Sequence, residues 1–250
     1  MELKASQSYY SEGLLEEFID ETRKKLNEQP DNHLLRCSLA NALSKSGKLE
    51  EAIHEYKKCI EAEPSPEYRN NLGKALLNSG RYEEAIKEFE QVTAKVDWPD
   101  AYFNIGLAYR SLGELAKALA MLQKALEINP KYREALNEKA HIHEVLDQKD
   151  EALKDYKKVI ALFFAEYQAH EAEVYNYDMS VLFDNDDLVE ELIRQLRKHI
   201  QKFPGFADGY YKLGQALDAK GLKNEAVLMY RKALEINPKY ETARKCFWKR

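Results

Sequence analysis

From Leu14 onward the positions of one stripe fall at steps of one, three and four: Leu14, Leu15, Phe18, Ile19, Thr22 and Leu26. That spacing lines one face of an α-helix. Ser11 stands where a cap would start this helix and Pro30 where it would stop. Similar stripes follow in pairs along the chain. Gly47, Gly80, Gly113 and Gly221 fall midway within the pairs, where a left-handed residue ends a first helix at little cost only if it is glycine. Pro64, Pro130, Pro204 and Pro238 close the second helices as Pro30 closes the opening one, because proline lacks the N–H that a continuing helix needs.

The pairs also repeat as sequence. Asn104-Ile105-Gly106-Leu107-Ala108-Tyr109 aligns with Lys212-Leu213-Gly214-Gln215-Ala216-Leu217, and Lys124-Ala125-Leu126-Glu127-Ile128-Asn129-Pro130 with Lys232-Ala233-Leu234-Glu235-Ile236-Asn237-Pro238. Further copies begin at Ser38 and Asn71. A ruler through Ala52, Ala85, Ala118, Ala152, Leu192 and Ala226 advances by 33, 33, 34, 40 and 34 residues. Small residues (Gly73, Gly106, Gly214 and Ala140 on first helices, Ala85, Ala118 and Ala226 on second ones) mark where two helices nearly touch. Leu72, Ile105 and Leu213, with Tyr56, Phe89, Leu122, Tyr156 and Tyr230, fill the remaining space. No single pair can bury its own stripe, so the pairs must stack.

The expected fold is therefore all-α: an α-solenoid of stacked antiparallel helix-turn-helix repeats. Residues 1–32 form an N-terminal segment and capping helix, and 33–164 four repeats. Residues 165–206 form a divergent repeat with an insertion. Residues 207–250 form a last repeat and a C-terminal capping helix, with Phe247 and Trp248 covering the final unit. The stretch between Ala152 and Leu192 is six residues longer than its counterparts and gathers Phe163, Phe164, Tyr167, Tyr175, Tyr177 and Phe183. Those aromatics either fill a wider gap between neighbours or present a docking surface.

This pattern resembles the tetratricopeptide repeat family over roughly Asp31 to Pro238. The resemblance implies a right-handed superhelix whose concave face, lined by the first helix of each repeat, holds peptides or partner proteins. Carried over by register, the groove candidates are Asn41, Asn71, Lys74, Asn104, Arg110, Asn137, Glu138, His141, Tyr211 and Lys212. Asn71 and Asn104 share one register, and an amide offers an extended peptide backbone both donor and acceptor. Acids outnumber bases at these positions, with Glu67, Asp100, Glu134, Glu138, Glu144, Asp178, Asp208 and Asp218 against Lys74, Arg110, Lys212 and Lys45. That balance favours a basic partner, although helix N-termini attract Asp and Glu for their own sake. Members of the family that clamp acidic chaperone tails need lysine and arginine where this chain has Cys37 and Asp100, or Glu134 and Glu138. No such clamp is expected.

Composition narrows the rest. A formal net charge of −5 argues against nucleic acid as the ligand, which demands clustered bases. No long apolar run marks a membrane span. Three cysteines and six histidines leave no disulfide framework or zinc module. The absence of an export signal adds an expectation of a cytoplasmic location. His141 and His143 are two apart on a helix and face different ways. Asp184-Asn185-Asp186-Asp187 lacks the glycine and closing glutamate of a calcium loop and reads better as a helix cap. With no phosphate loop and no nucleophile motif, no metal, cofactor or enzymatic activity is expected. The leading function is a protein-interaction scaffold. The alternative is a self-assembling protein, a homo-oligomer that docks through its N-terminal helix or aromatic insertion.

Overall fold

The computed structural model describes residues 12–167 and 185–248. Among these residues every regular element is an α-helix: α1 (Glu12–Glu28), α2 (His33–Lys45), α3 (Leu49–Ala62), α4 (Pro66–Asn78), α5 (Tyr82–Thr93), α6 (Pro99–Ser111), α7 (Leu115–Ile128), α8 (Arg133–Val145), α9 (Lys149–Tyr167), α10 (Asp186–Lys202), α11 (Ala207–Ala219), α12 (Lys223–Ile236) and α13 (Glu241–Trp248). The expected cap Ser11, the aromatics Tyr175, Tyr177 and Phe183, and Asp178 and Asp184 lie outside the described residues, as do the side chains of Phe163 and Tyr167. The chain divides into two compact units at Ala135/Leu136, a division that falls within the 33–164 array.

Local chemistry sets the helix ends. Asn32 accepts a hydrogen bond from the Leu35 N–H at 3.1 Å, and Ser65 from Glu67 at 3.2 Å. Pro66 and Pro99 open α4 and α6, where a missing N–H costs nothing. Asn185 caps α10 by accepting from the Asp187 and Leu188 N–H groups. The four midway glycines adopt φ of 78–80°. In the α8–α9 turn the same place is held by Asp147 at φ 54°, the one non-glycine residue with positive φ among those described.

Within each unit successive helices pack side by side. The first unit buries Leu39, Leu43, Tyr56, Leu72, Phe89 and Ile105 in one apolar cluster, and the second buries Tyr156, Leu192, Leu196, Leu213 and Tyr230 in another. Burying side chains of this size stabilises the fold by about 1.5–3 kcal/mol each. Gly73 lies under the Phe89 ring, Gly106 under Leu122 and Gly214 under Tyr230; a β-carbon built on Gly214 would stand 2.5 Å from the Tyr230 ring. Ala85, Ala118 and Ala226 are fully buried.

Ion pairs repeat with the helices. Arg36 meets Glu55 at 2.8 Å, and 33 residues on Arg69 meets Glu88 at 2.9 Å. In the second unit Asp155, 1% exposed, occupies the same register. It faces Lys158 at 3.1 Å, Lys139 at 3.3 Å and His143 at 3.8 Å. Lys139 takes the place that Leu39, Leu72, Ile105 and Leu213 hold elsewhere.

The C-terminal helix corrects one expectation. Ala243 is buried and Phe247 packs on the second cluster, but Trp248 is 76% exposed. Consecutive helical residues point about 100° apart, so both cannot face the same neighbour.

Candidate functional site

In the first unit α2, α4 and α6 adjoin in turn. Asn41 and Asn71 meet there: the Asn71 amide donates to Asn41 Oδ1 at 3.4 Å. The Tyr56 hydroxyl, rising from α3, donates to the same oxygen at 2.6 Å. Lys74 lies one turn from Asn71 and is exposed, as is Arg110 on α6. Asn104 is 7% exposed, and Asn70 is 2% exposed with its Oδ1 lacking a hydrogen-bond partner among the described residues. Arg110 has an interaction within the protein. Asn41, Lys74 and Arg110 are thus exposed and Asn71 half-buried, with Asn104 set deeper.

The candidates from the second unit are more heavily engaged. Asn137 and Glu138 are half-buried and hold intramolecular partners. His141 Nδ1 lies 3.0 Å from the Tyr156 hydroxyl and 3.2 Å from Glu144, and that hydroxyl also donates to Glu144 at 2.9 Å. Tyr211 accepts from Gln215 at 3.0 Å and stacks near Tyr240, ring centroids 5.1 Å apart. Lys212 is 7% exposed, with its ammonium 3.4 Å from Asp208. Burial pulls its pKa below the ordinary lysine value while Asp208 opposes the shift. Lys212 therefore presents little surface to a ligand.

Several acids carry tyrosine hydroxyls. Tyr240 donates to Asp208 at 2.5 Å, and 108 residues earlier Tyr132 hydrogen-bonds Asp100. Phe103 lies against Tyr132 with ring centroids 5.1 Å apart, the spacing that Tyr211 and Tyr240 show. Burial first, and then the bonded carboxylate, push the Tyr132 and Tyr240 phenols above their ordinary range. Tyr230 donates to Asp218 at 2.6 Å. Asp100, Glu144, Asp208 and Asp218 thus have structural work that needs no basic ligand.

These latches were missed because tyrosine at the second-helix position was read only for its bulk. A signal was present. The tyrosine pairs carry an acceptor across the hairpin (Asn41, Glu144 or Asp218), whereas Phe89 faces a unit with Lys74 and Leu77, and Leu122 one with Leu107 and Arg110. Among the described residues no group of three His, Cys, Asp or Glu side chains could hold a metal ion, and no helix is long and apolar enough to cross a membrane.

Comparison with known proteins agrees with this architecture. Models of the tetratricopeptide repeat match residues 37–101, 99–132, 134–165 and 207–240, more than half of the chain. Among solved structures, MamA 41-end from Desulfovibrio magneticus RS-1 is 21% identical. The match covers 68% of this chain and 94% of that one, with a TM-score of 0.58. A tetratricopeptide repeat protein from Parabacteroides merdae is 18% identical, covering 98% and 95% of the two chains with a TM-score of 0.55. At these identities the likeness is one of fold.

Proposed function

The chain belongs to the tetratricopeptide repeat family, and on that premise we propose that it is a protein-interaction scaffold, acting by binding rather than catalysis. Its peptide seat is the asparagine-lined face of α2, α4 and α6. The observation that carries the reading is the Asn71–Asn41 contact with Tyr56 beneath it. Tyr56 and Asn71 both spend their donors on Asn41 Oδ1, which leaves the Asn41 NH₂ and the Asn71 carbonyl turned to other partners. An extended peptide supplies both a carbonyl and an N–H whatever its side chains. Tyr56, 3% exposed, holds Asn41 in place, so little side-chain freedom is lost on binding.

Lys74 and Arg110 flank the asparagines. The test is an affinity capture from native lysate comparing wild type with Asn41→Ala plus Asn71→Ala, with circular dichroism as a folding control. Loss of a wild-type partner at unchanged helicity supports the seat. Equal capture by both proteins overturns it.

A further inference from the structure

Two of the three cysteines lie inside the first helix pair. Cys37 on α2 is 4% exposed and Cys59 on α3 is fully buried, and both stand about one turn along their antiparallel helices from the Tyr56–Asn41 hydrogen bond, at the same level of the pair. The same two registers elsewhere hold Asn70 with Val92, Phe103 with Ala125, and Tyr211 with Ala233. Only in this pair, then, do those registers hold side chains that oxidation can join. No metal cluster among the described residues explains the coincidence, and packing alone would be served by alanine, as at Ala125 and Ala233.

We propose that Cys37 and Cys59 are a thiol–disulfide pair that ties α2 to α3 when a small-molecule disulfide is the oxidant. One thiolate attacks a sulfur of the oxidant and expels a thiolate, which takes up a proton. The second protein thiolate then displaces the remaining half. One S–S bond is broken and one formed; two electrons and two protons pass from the cysteines to two small thiols. In the closed helix pair burial, and then Cys37, hold the Cys59 thiol well above its ordinary pKa, so the thiol stays protonated and unreactive. Oxidation therefore runs through a local opening of α2 from α3, and the closed pair keeps whichever state it has reached.

The bond would also act on the peptide seat, a consequence that rests on the function proposed above. Cys37 precedes Asn41 by one helical turn, and Cys59 follows Tyr56 by three residues, so both ends of the Tyr56–Asn41 hydrogen bond share their helices with the pair. A covalent tie there fixes the spacing between α2 and α3 at the level of that bond.

The experiment uses the full chain carrying Cys246→Ser, incubated with oxidised glutathione in buffer and in mild urea. Peptide mapping without reductant is expected to show the Cys37 and Cys59 peptides joined, faster in urea, and released by dithiothreitol. The oxidised protein should melt higher than the reduced one, and Cys59→Ala should abolish both effects. Stable glutathione adducts on separate cysteines, or no joined peptide in urea, would overturn the pair. So would a lower melting temperature after joining, since the bond would then not fit the native helix pair. Partner capture by joined and reduced protein is scored separately: equal capture overturns only the link to the seat, and altered capture supports it.

Discussion

Replacing Gly214 with alanine sets helix propensity against packing. The new β-carbon would lie 2.5, 2.7 and 3.0 Å from Cε1, Cδ1 and Cζ of Tyr230, far inside contact distance. The ring cannot swing away, because it is 1% exposed and its hydroxyl is bonded to Asp218 at 2.6 Å. The helices must part instead. Overpacking of this kind costs about 1–3 kcal/mol, while alanine for glycine within a helix returns about 1 kcal/mol. Ala40 opposite Tyr56 and Ala140 opposite Tyr156 are native combinations, so the required shift is small. A net loss of about 1 kcal/mol follows, which lowers the melting temperature by about 2–4 °C in a chain of this size. Gly106→Ala is the control: its β-carbon would meet the flexible Leu122 side chain at 3.0 Å and the Ala118 carbonyl at an ordinary 3.4 Å, so propensity and strain should nearly cancel. Thermal melts followed by circular dichroism compare the two. A Gly214→Ala protein as stable as wild type, or less harmed than Gly106→Ala, would refute the reasoning.

Other outcomes follow from single sites. Asp147→Gly removes a left-handed strain of about 1 kcal/mol and restores some unfolded-chain entropy, for a net gain of about 0.5 kcal/mol visible in urea titration; a loss would show that Asp147 is held there by more than turn geometry. Asp155→Ala strands Lys139 and should cost about 3 kcal/mol, whereas adding Lys139→Leu restores the apolar register and should recover most of it; failure of that rescue would contradict the pairing. Burial, opposed by Asp208, depresses the His199 pKa from 6.5 to about 4. The unfolded chain therefore binds the proton first, and stability is lost as pH falls from 6.5 towards 4, by about 3 kcal/mol at most. His199→Gln should flatten that part of the urea midpoint's pH profile, and an unchanged profile would overturn the assignment.

The helix pairs were legible because their determinants are local. A glycine at φ near 80°, a proline after a helix and a stripe at steps of three and four each act within a few residues. Gly73 and Gly214 could also be read as contact points, since glycine inside a helix costs stability unless a neighbouring helix fills the space its side chain would take. What stayed hidden depends on pairing across helices. Tyr240 reaches back 32 residues to Asp208, and Tyr156 reaches 12 to Glu144; each acceptor is marked only when it is read together with its tyrosine on another helix. Lys139 at a leucine register was visible, but its buried counter-ion was not. Asp147 could have been read from its alignment with Gly47, Gly80, Gly113 and Gly221. Asp100 and Asp208 looked like free groove charge because sequence shows the carboxylate and not the phenol it bonds. Lys212 looked like a ligand contact for the same reason.

The central claim is that a partner peptide lies along α2, α4 and α6. Its most direct test is photo-crosslinking from a single reactive side chain placed either at Lys74, beside Asn71, or at Lys87 on α5, both exposed. The account predicts that partner captured by wild type is crosslinked from position 74 and not from 87, and that Asn71→Ala weakens the yield at 74. Crosslinking from position 87 alone would place the partner on the second helices and contradict the asparagine seat.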